Sequence, residues 1–215
     1  MLLTDFSKII IVDATSAKLK VALCENGKIS EIAQVNGQAM ECFFQALEQV
    51  CKKYKPIEIE AFALCTGTGS ILGTRSASVA IATIANFSNA KIFEYNCMEV
   101  AAYAIANTNQ YNFSLFTPSR KGYVNILNFE EKIKLLKEIK IDEISEFSLE
   151  KKIVLWQRDK IDVAISEFPT FYLDEKSTLE VLVQNPHLAS ICEDTPDAKP
   201  LTEREYVKWK AQAHI

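Results

Sequence analysis

Asn26–Gly27 stands between two runs of alternating apolar and polar residues, and it constrains the fold more than any other feature of the chain. Both central positions of a two-residue hairpin turn want positive φ, which Asn and Gly tolerate. Upstream, Leu19, Val21 and Leu23 share one face of a strand. Downstream, Lys28 to Val35 returns beside it. Ahead of both lies KIIIVD, Lys8 to Asp13, which reads as a strand ending in a polar residue. The chain therefore opens as strand, strand, strand in hairpin order, and a plain βαβ start is excluded.

The next segment is helical. Met40, Phe43, Phe44, Leu47, Val50, Cys51 and Tyr54 recur at spacings of three and four, predicting a helix over Gln38 to Tyr54 that Pro56 stops. Ile57 to Cys65 reads as a buried strand, then comes a glycine turn, then a helix over Arg75 to Ala85. KIFEY (Lys91 to Tyr95) is a strand and Met98 to Ala106 a helix, before the polar NTNQ at 107–110. In the second half, Phe113 to Phe116 and Tyr123 to Phe129 read as strands flanking the turn TPSRKG. Short exposed strands, with a helix as the rival, are expected between Glu130 and Glu150. Lys152 to Trp156 and Ile161 to Ile165 read as strands, Thr178 to Asn185 as a helix, and the tail from Pro200 as surface chain. The expected class is α/β, divided into residues 1–107 and a smaller unit, 108–215. No internal repeat is evident.

Composition removes several function classes. With 28 acidic against 24 basic residues, the net charge of −4 argues against a broad nucleic-acid footprint, which needs clustered Lys and Arg. The six cysteines include no CxxC pair and sit mostly among apolar neighbours, as small hydrophobes do. The first residues lack a basic start and a long apolar stretch, and no run approaches the roughly 18 apolar residues of a membrane span. A cytoplasmic setting without membrane contact is the expectation. His187 and His214, the only histidines, have no nearby second ligand, and no GxSxG elbow is present. No catalytic residue and no metal site is expected. Asp13 has two readings: a carboxylate orienting Mg²⁺ or water beside a nucleotide, with Thr15 close by, or a cap on its own turn.

The run CTGTGSILGTRSASVAIATIANF (Cys65 to Phe87) admits three readings. As a phosphate loop it fails, because Thr74 stands where a Walker A motif needs lysine. As a dinucleotide fingerprint it has GxGxxxG for GxGxxG, although Glu94 lies where a ribose-binding acid belongs. As a packing surface it has a helix apolar on nearly every side, through Ala77, Val79, Ala80, Ile81, Ala82, Ile84 and Ala85. Such a helix is either buried wholly within its own domain or offered to a partner.

Gly67, Gly69, Ser70, Gly73 and Arg75 stand where the bacterial TsaB family has the fixed residues of its GxGSxTGxRxG signature, and the chain resembles that family. These are non-peptidase relatives of the glycoprotease-like proteins. KIIIVDATSAKLKVAL, the helix entry at Asn96 to Val100, the SRKGYVNILNF hairpin and the KPLTEREY tail agree in order. The likeness covers about the first 125 residues well and thins afterwards. Departures are Thr68 for the usual proline, Ile71 and Leu72 for an aromatic and a threonine, Ala14 inserted before Thr15, and Tyr123 for an acid.

The resemblance implies an actin-like, ribonuclease H-like fold: two lobes, each on a five-stranded mixed sheet. It implies a subunit that is not catalytic alone. Its partners would be a TsaD-like catalytic subunit, a TsaE-like ATPase and, through the complex, tRNA, with threonylcarbamoyl transferred to the adenosine next to the anticodon. This chain would bind no cofactor alone, ATP and Mg being used by the partner complex. Gly67, Gly69, Ser70, Gly73, Arg75, Ala77, Ala80, Ile81 and Ile84 are the expected partner interface, and a homodimer through the same helices is the alternative occupancy. Ser70 is expected to cap the helix. Arg120 and Lys121 are either a tRNA contact or an ordinary solvated hairpin. The rival function is a nucleotide-using enzyme, a small actin-like phosphotransferase acting from Asp13 or a dinucleotide-binding protein.

Overall fold

The computed structural model describes residues 1–37, 39–108, 112–147, 151–155, 170–171, 174–193 and 196. Three antiparallel strands come first: β1 (Lys8–Asp13), β2 (Lys18–Glu25) and β3 (Lys28–Asn36). Asn26 and Gly27 join β2 to β3 with φ of 50° and 77°, the positive pair that the dipeptide predicts. Helix α1 (Ala39–Val50) follows, then β4 (Ala61–Cys65), α2 (Ile71–Ser88), β5 (Lys91–Tyr95) and α3 (Cys97–Ala106). The expected strand start at Ile57 is corrected, because Pro56–Glu58 forms a short 3₁₀ turn. Strands β4 and β5 are parallel to β1, giving the order β5-β4-β1-β2-β3.

The second sheet repeats this plan. Strands β6 (Phe113–Pro118), β7 (Tyr123–Glu130) and β8 (Lys132–Lys140) are antiparallel neighbours. A short α4 (Ile144–Phe147) follows, and β9 (Lys151–Leu155) and β10 (Thr170–Phe171) add in parallel, in the order β10-β9-β6-β7-β8. Within the Glu130 to Glu150 stretch, Lys132–Lys140 is the strand β8 and Ile141–Phe147 turns helical, so each of the two readings holds for part of it. The strand expected at Ile161 to Ile165 and the tail from Pro200 lie outside the described residues.

After the second sheet the chain returns to the first. Helix α5 (Glu175–Gln184), capped by the Asp174 carboxylate accepting from Ser177 N–H at 2.9 Å, packs with α3 on the first sheet. Strand β11 (Ala189–Ile191) then adds antiparallel to β5, so the first sheet has six strands where the resemblance implies five.

Helices α1 and α2 cover one face of the first sheet over Ile10, Val12, Val21, Phe43, Leu47, Phe62, Leu64, Ala77 and Ile81. Helices α3 and α5 cover the other face. Helix α3 is the element buried all round: Val100 and Ala104 face the first sheet, while Met98, Ala101 and Ile105 meet Phe113, Leu115, Leu127 and Phe129 of the second. Four alanines among its ten residues let the two sheets approach it closely.

One charge in this region is misfitted. Burial pushes the Glu99 carboxyl on α3 above the ordinary carboxylate range, and the nearby His187 imidazole opposes the shift. A raised folded-state pKa means the folded chain holds this proton more tightly than the unfolded one. Its contribution is therefore full below the unfolded value of about 4.3 and is lost as pH rises through the folded value. Glu99→Gln is expected to raise stability at neutral pH, with the difference from the parent fading in acid; urea melts across a pH series read it.

Candidate partner interface

Ser70 opens α2 as a cap: its hydroxyl oxygen accepts from Gly73 N–H at 3.0 Å. Its own N–H donates to the Thr15 carbonyl at 2.8 Å, tying the start of α2 to the β1–β2 turn. Gly73 lies inside the first helical turn, and a Cβ there would fall far inside contact distance of the Ala14 carbonyl oxygen. At Gly67 a Cβ would crowd the Asn96 side chain and the Cys97 amide, both at 3.0 Å. Gly69 has a φ of 153°. Gly67 and Gly73 are thus close-approach positions, where β1, α2 and α3 converge on one turn, while Gly69 supplies a backbone conformation that side chains rarely adopt.

Asp13, at the end of β1, is turned onto that same turn. Its Oδ1 accepts from Thr15 N–H at 2.9 Å and from the Thr15 hydroxyl at 2.5 Å. Asp13 and Thr15 are both buried, at 8% and 1% exposure. This is the capping geometry of the two readings. Beneath it lie two buried thiols. Burial pushes the Cys65 thiol up, while hydrogen bonds from Cys65 and then Thr68 hold Cys97 lower. The Tyr95 hydroxyl donates to Val12 C=O at 3.4 Å, and burial raises its pKa. Among the described residues, no group of three or more His, Cys, Asp or Glu is placed to hold a metal.

The four apolar residues expected at the interface lie on the side of α2 turned toward the sheet. Ala77 and Ile81 are fully buried in the chain's own core, and Ala80 and Ile84 are partly buried against it. The helix turns a different face outward. Leu72, Val79 and Phe87 are 72%, 63% and 77% exposed, and with Ser76 and Thr83 they follow helical spacing along one side. Arg75 is exposed on the first turn. Phe44 on the adjoining α1 is 57% exposed. Sequence periodicity missed this stripe because small residues on the buried side and large ones outside blur the helix's amphipathic signal.

On the second sheet, Arg120 is engaged within its own hairpin. Its guanidinium pairs with Glu138 at 3.2 Å and lies over the Tyr123 ring at 3.7 Å. The Glu138 side chain is 3% exposed, and its other oxygen accepts from the Ser119 hydroxyl at 2.5 Å. Lys121 is exposed. Removing Arg120 would take one cation from a buried carboxylate, a change that costs about 3 kcal/mol for fully buried pairs and less here because Arg120 is half exposed. Arg120→Ala is therefore expected to lower the melting temperature, and Glu138→Gln in the same chain to recover part of the loss.

No protein-family model matches the chain, and no curated protein matches it. Solved structures do. YeaZ from Pseudomonas aeruginosa matches with a TM-score of 0.61 at 12% identity, over 83% of this chain and 92% of that one. A crystal structure described as an uncharacterized protein with similarity to peptidase YEAZ from Pseudomonas aeruginosa matches with a TM-score of 0.65 at 12% identity, over 92% of this chain and all of that one. At this identity the likeness is one of fold, and the fold is the actin-like, ribonuclease H-like one in two lobes.

Proposed function

We propose that the chain is a TsaB/YeaZ-type accessory subunit, not catalytic alone, that pairs with a TsaD-like catalytic subunit in forming threonylcarbamoyladenosine beside the tRNA anticodon. The observation that carries this reading is the apolar stripe Leu72, Val79 and Phe87 exposed on α2, with Phe44 exposed on the adjoining α1. Large apolar side chains at helical spacing on one outward face gain most by burial against another protein. The signature residues support the reading differently from the way their resemblance implies. Gly67, Ser70 and Gly73 hold α2 at a set angle to the sheet, and the stripe makes the contact. A cytoplasmic location, a TsaE-like ATPase as a third member and an RNA contact through Lys121 belong to the same proposal.

The turn beneath α2 fits a structural role better than a phosphate site, since Asp13 Oδ1 is held by Thr15 and α2 is closed onto Ala14. The test is co-elution of the purified chain with the TsaD-like protein of the same cell, followed by restoration of tRNA modification. Stable co-elution and restored modification are expected. Failure to pair, together with tight ATP or NAD binding by the isolated chain, would replace this reading with the nucleotide-using enzyme.

A further inference from the structure

Two of the six cysteines touch each other. Cys65 closes β4 and Cys97 opens α3. In the parallel register Cys65 lies opposite Tyr95. Asn96 is still extended, at φ −107° and ψ 123°, so Cys97 follows on the same face of the sheet as Tyr95. Cys65 and Cys97 both lie in the core layer under α3, at 0% and 5% exposure. Their thiols hydrogen-bond to each other. The Thr68 hydroxyl meets the Cys97 sulfur at 3.7 Å, and the Cys97 thiol reaches the Thr68 carbonyl oxygen at 3.9 Å.

The pair is unequal. Burial pushes the Cys51 thiol up to about 11, and burial raises Cys24 and Cys65 as well. Cys97 moves the other way. Hydrogen bonds from Cys65 and then Thr68 lower it, against burial and the Asp13 carboxylate. Cys97 is also the first residue of α3, whose Asn96 cap accepts from Met98 N–H at 2.9 Å. A helix N-terminus favours a thiolate, and the thiolate is the nucleophile. Cys97 is therefore the thiol that reacts first, and Cys65, in contact with it, is placed to resolve the product.

We propose that Cys65 and Cys97 are a redox modification site for a small hydroperoxide, closing to an intrachain disulfide that ties the end of β4 to the start of α3. The Cys97 thiolate attacks a peroxide oxygen. The S–O bond forms, the O–O bond breaks, and the departing hydroxide takes up the proton that Cys97 released. The Cys65 sulfur then attacks the Cys97 sulfur. The S–S bond forms, the S–O bond breaks, and a second water leaves with the Cys65 proton. Two thiols lose two electrons, and one hydrogen peroxide gains them to become two waters. The bridge would lie beside Gly67, where a Cβ already crowds the Cys97 amide at 3.0 Å, and so would fix the turn that leads into α2. None of this requires a partner subunit.

The test uses the full chain, reduced and free of any partner. It is treated with a small excess of hydrogen peroxide, denatured in an alkylating agent and digested with trypsin. Tryptic peptides 54–75 and 92–120 each hold one cysteine of the pair and no other. The expected product is these two peptides joined, lighter by two hydrogens than their sum and parted by dithiothreitol. Closing a loop of about 30 residues is expected to raise the melting temperature of the oxidised chain by several degrees. Dimedone added with the peroxide is expected to label Cys97 in a Cys65→Ala chain several-fold more than Cys65 in a Cys97→Ala chain. The peptide map of the unsubstituted chain needs neither variant to fold. Both peptides recovered fully alkylated, with oxidation confined to the half-buried Cys192, would overturn the proposal. So would a bridge found only in dimers on a non-reducing gel. An oxidised chain that melts below the reduced one would also overturn it, because the bridge would then form only by breaking the fold.

Discussion

Val79→Arg is expected to abolish co-elution with the TsaD-like partner while leaving the melting temperature of the free chain nearly unchanged. Val79 is 63% exposed in the middle of α2, so the monomer loses little packing and gains a residue of better helix propensity. Surface changes of this kind usually stay within about 0.5 kcal/mol. In the complex the same guanidinium would be buried against an apolar face without a counter-charge. An unpaired buried charge costs about 3 kcal/mol or more, over a hundredfold in affinity. Ala80→Arg is the wrong probe, because Ala80 packs on the chain's own core and its loss of binding could be a loss of folding. Glu130→Arg, exposed on the second sheet, is the control for charge alone. An intact heterodimer with Val79→Arg would remove α2 from the interface.

Local signals carried the first sheet, and tertiary phase carried the site. Asn26–Gly27 forms its hairpin turn and KIFEY is a strand from end to end, because turn chemistry and alternation are properties of a few adjacent residues. Helix α2 begins at Ile71 and not at Arg75, since Gly73 reads as a turn until the close approach of Ala14 explains it. Which face of α2 lies on the sheet cannot be read from a helix apolar on most sides. Ala77 and Ile81 inside, with Val79 and Phe87 outside, is a statement about where the sheet is.

The rest was hidden for a different reason. Both sheets follow one strand order, yet the halves show no repeat in sequence, because topology is kept by burial pattern and not by particular residues. Strand β11 is three residues long and has no periodicity to detect. Glu138 pairs with Arg120 from 18 positions away, and Ser78 reaches Pro196 across the whole second sheet. Such pairs have no local signature, and they alter the reading of their residues most. Arg120, a candidate RNA contact in the sequence, is also paired with a buried carboxylate in the fold.

Gly73→Ala is expected to destabilise the chain by about 3 kcal/mol or more, although alanine is the better helix former by about 1 kcal/mol. The two effects oppose each other, and geometry decides between them. The added Cβ would meet a backbone oxygen, that of Ala14, which has no rotamer to swing away. Moving it means moving a turn held by Asp13 on Thr15 and by Ser70 N–H on the Thr15 carbonyl. For a chain of this size such a loss lowers the melting temperature by about 6–12 °C. Gly27→Ala separates this from backbone strain. Gly27 has a φ of 77° with nothing within 4 Å, so its replacement is costly only through φ, about 1 kcal/mol. A larger loss at Gly27 than at Gly73 would show that α2 does not seat on the β1–β2 turn. The partner-facing stripe would then have no fixed angle to the sheet.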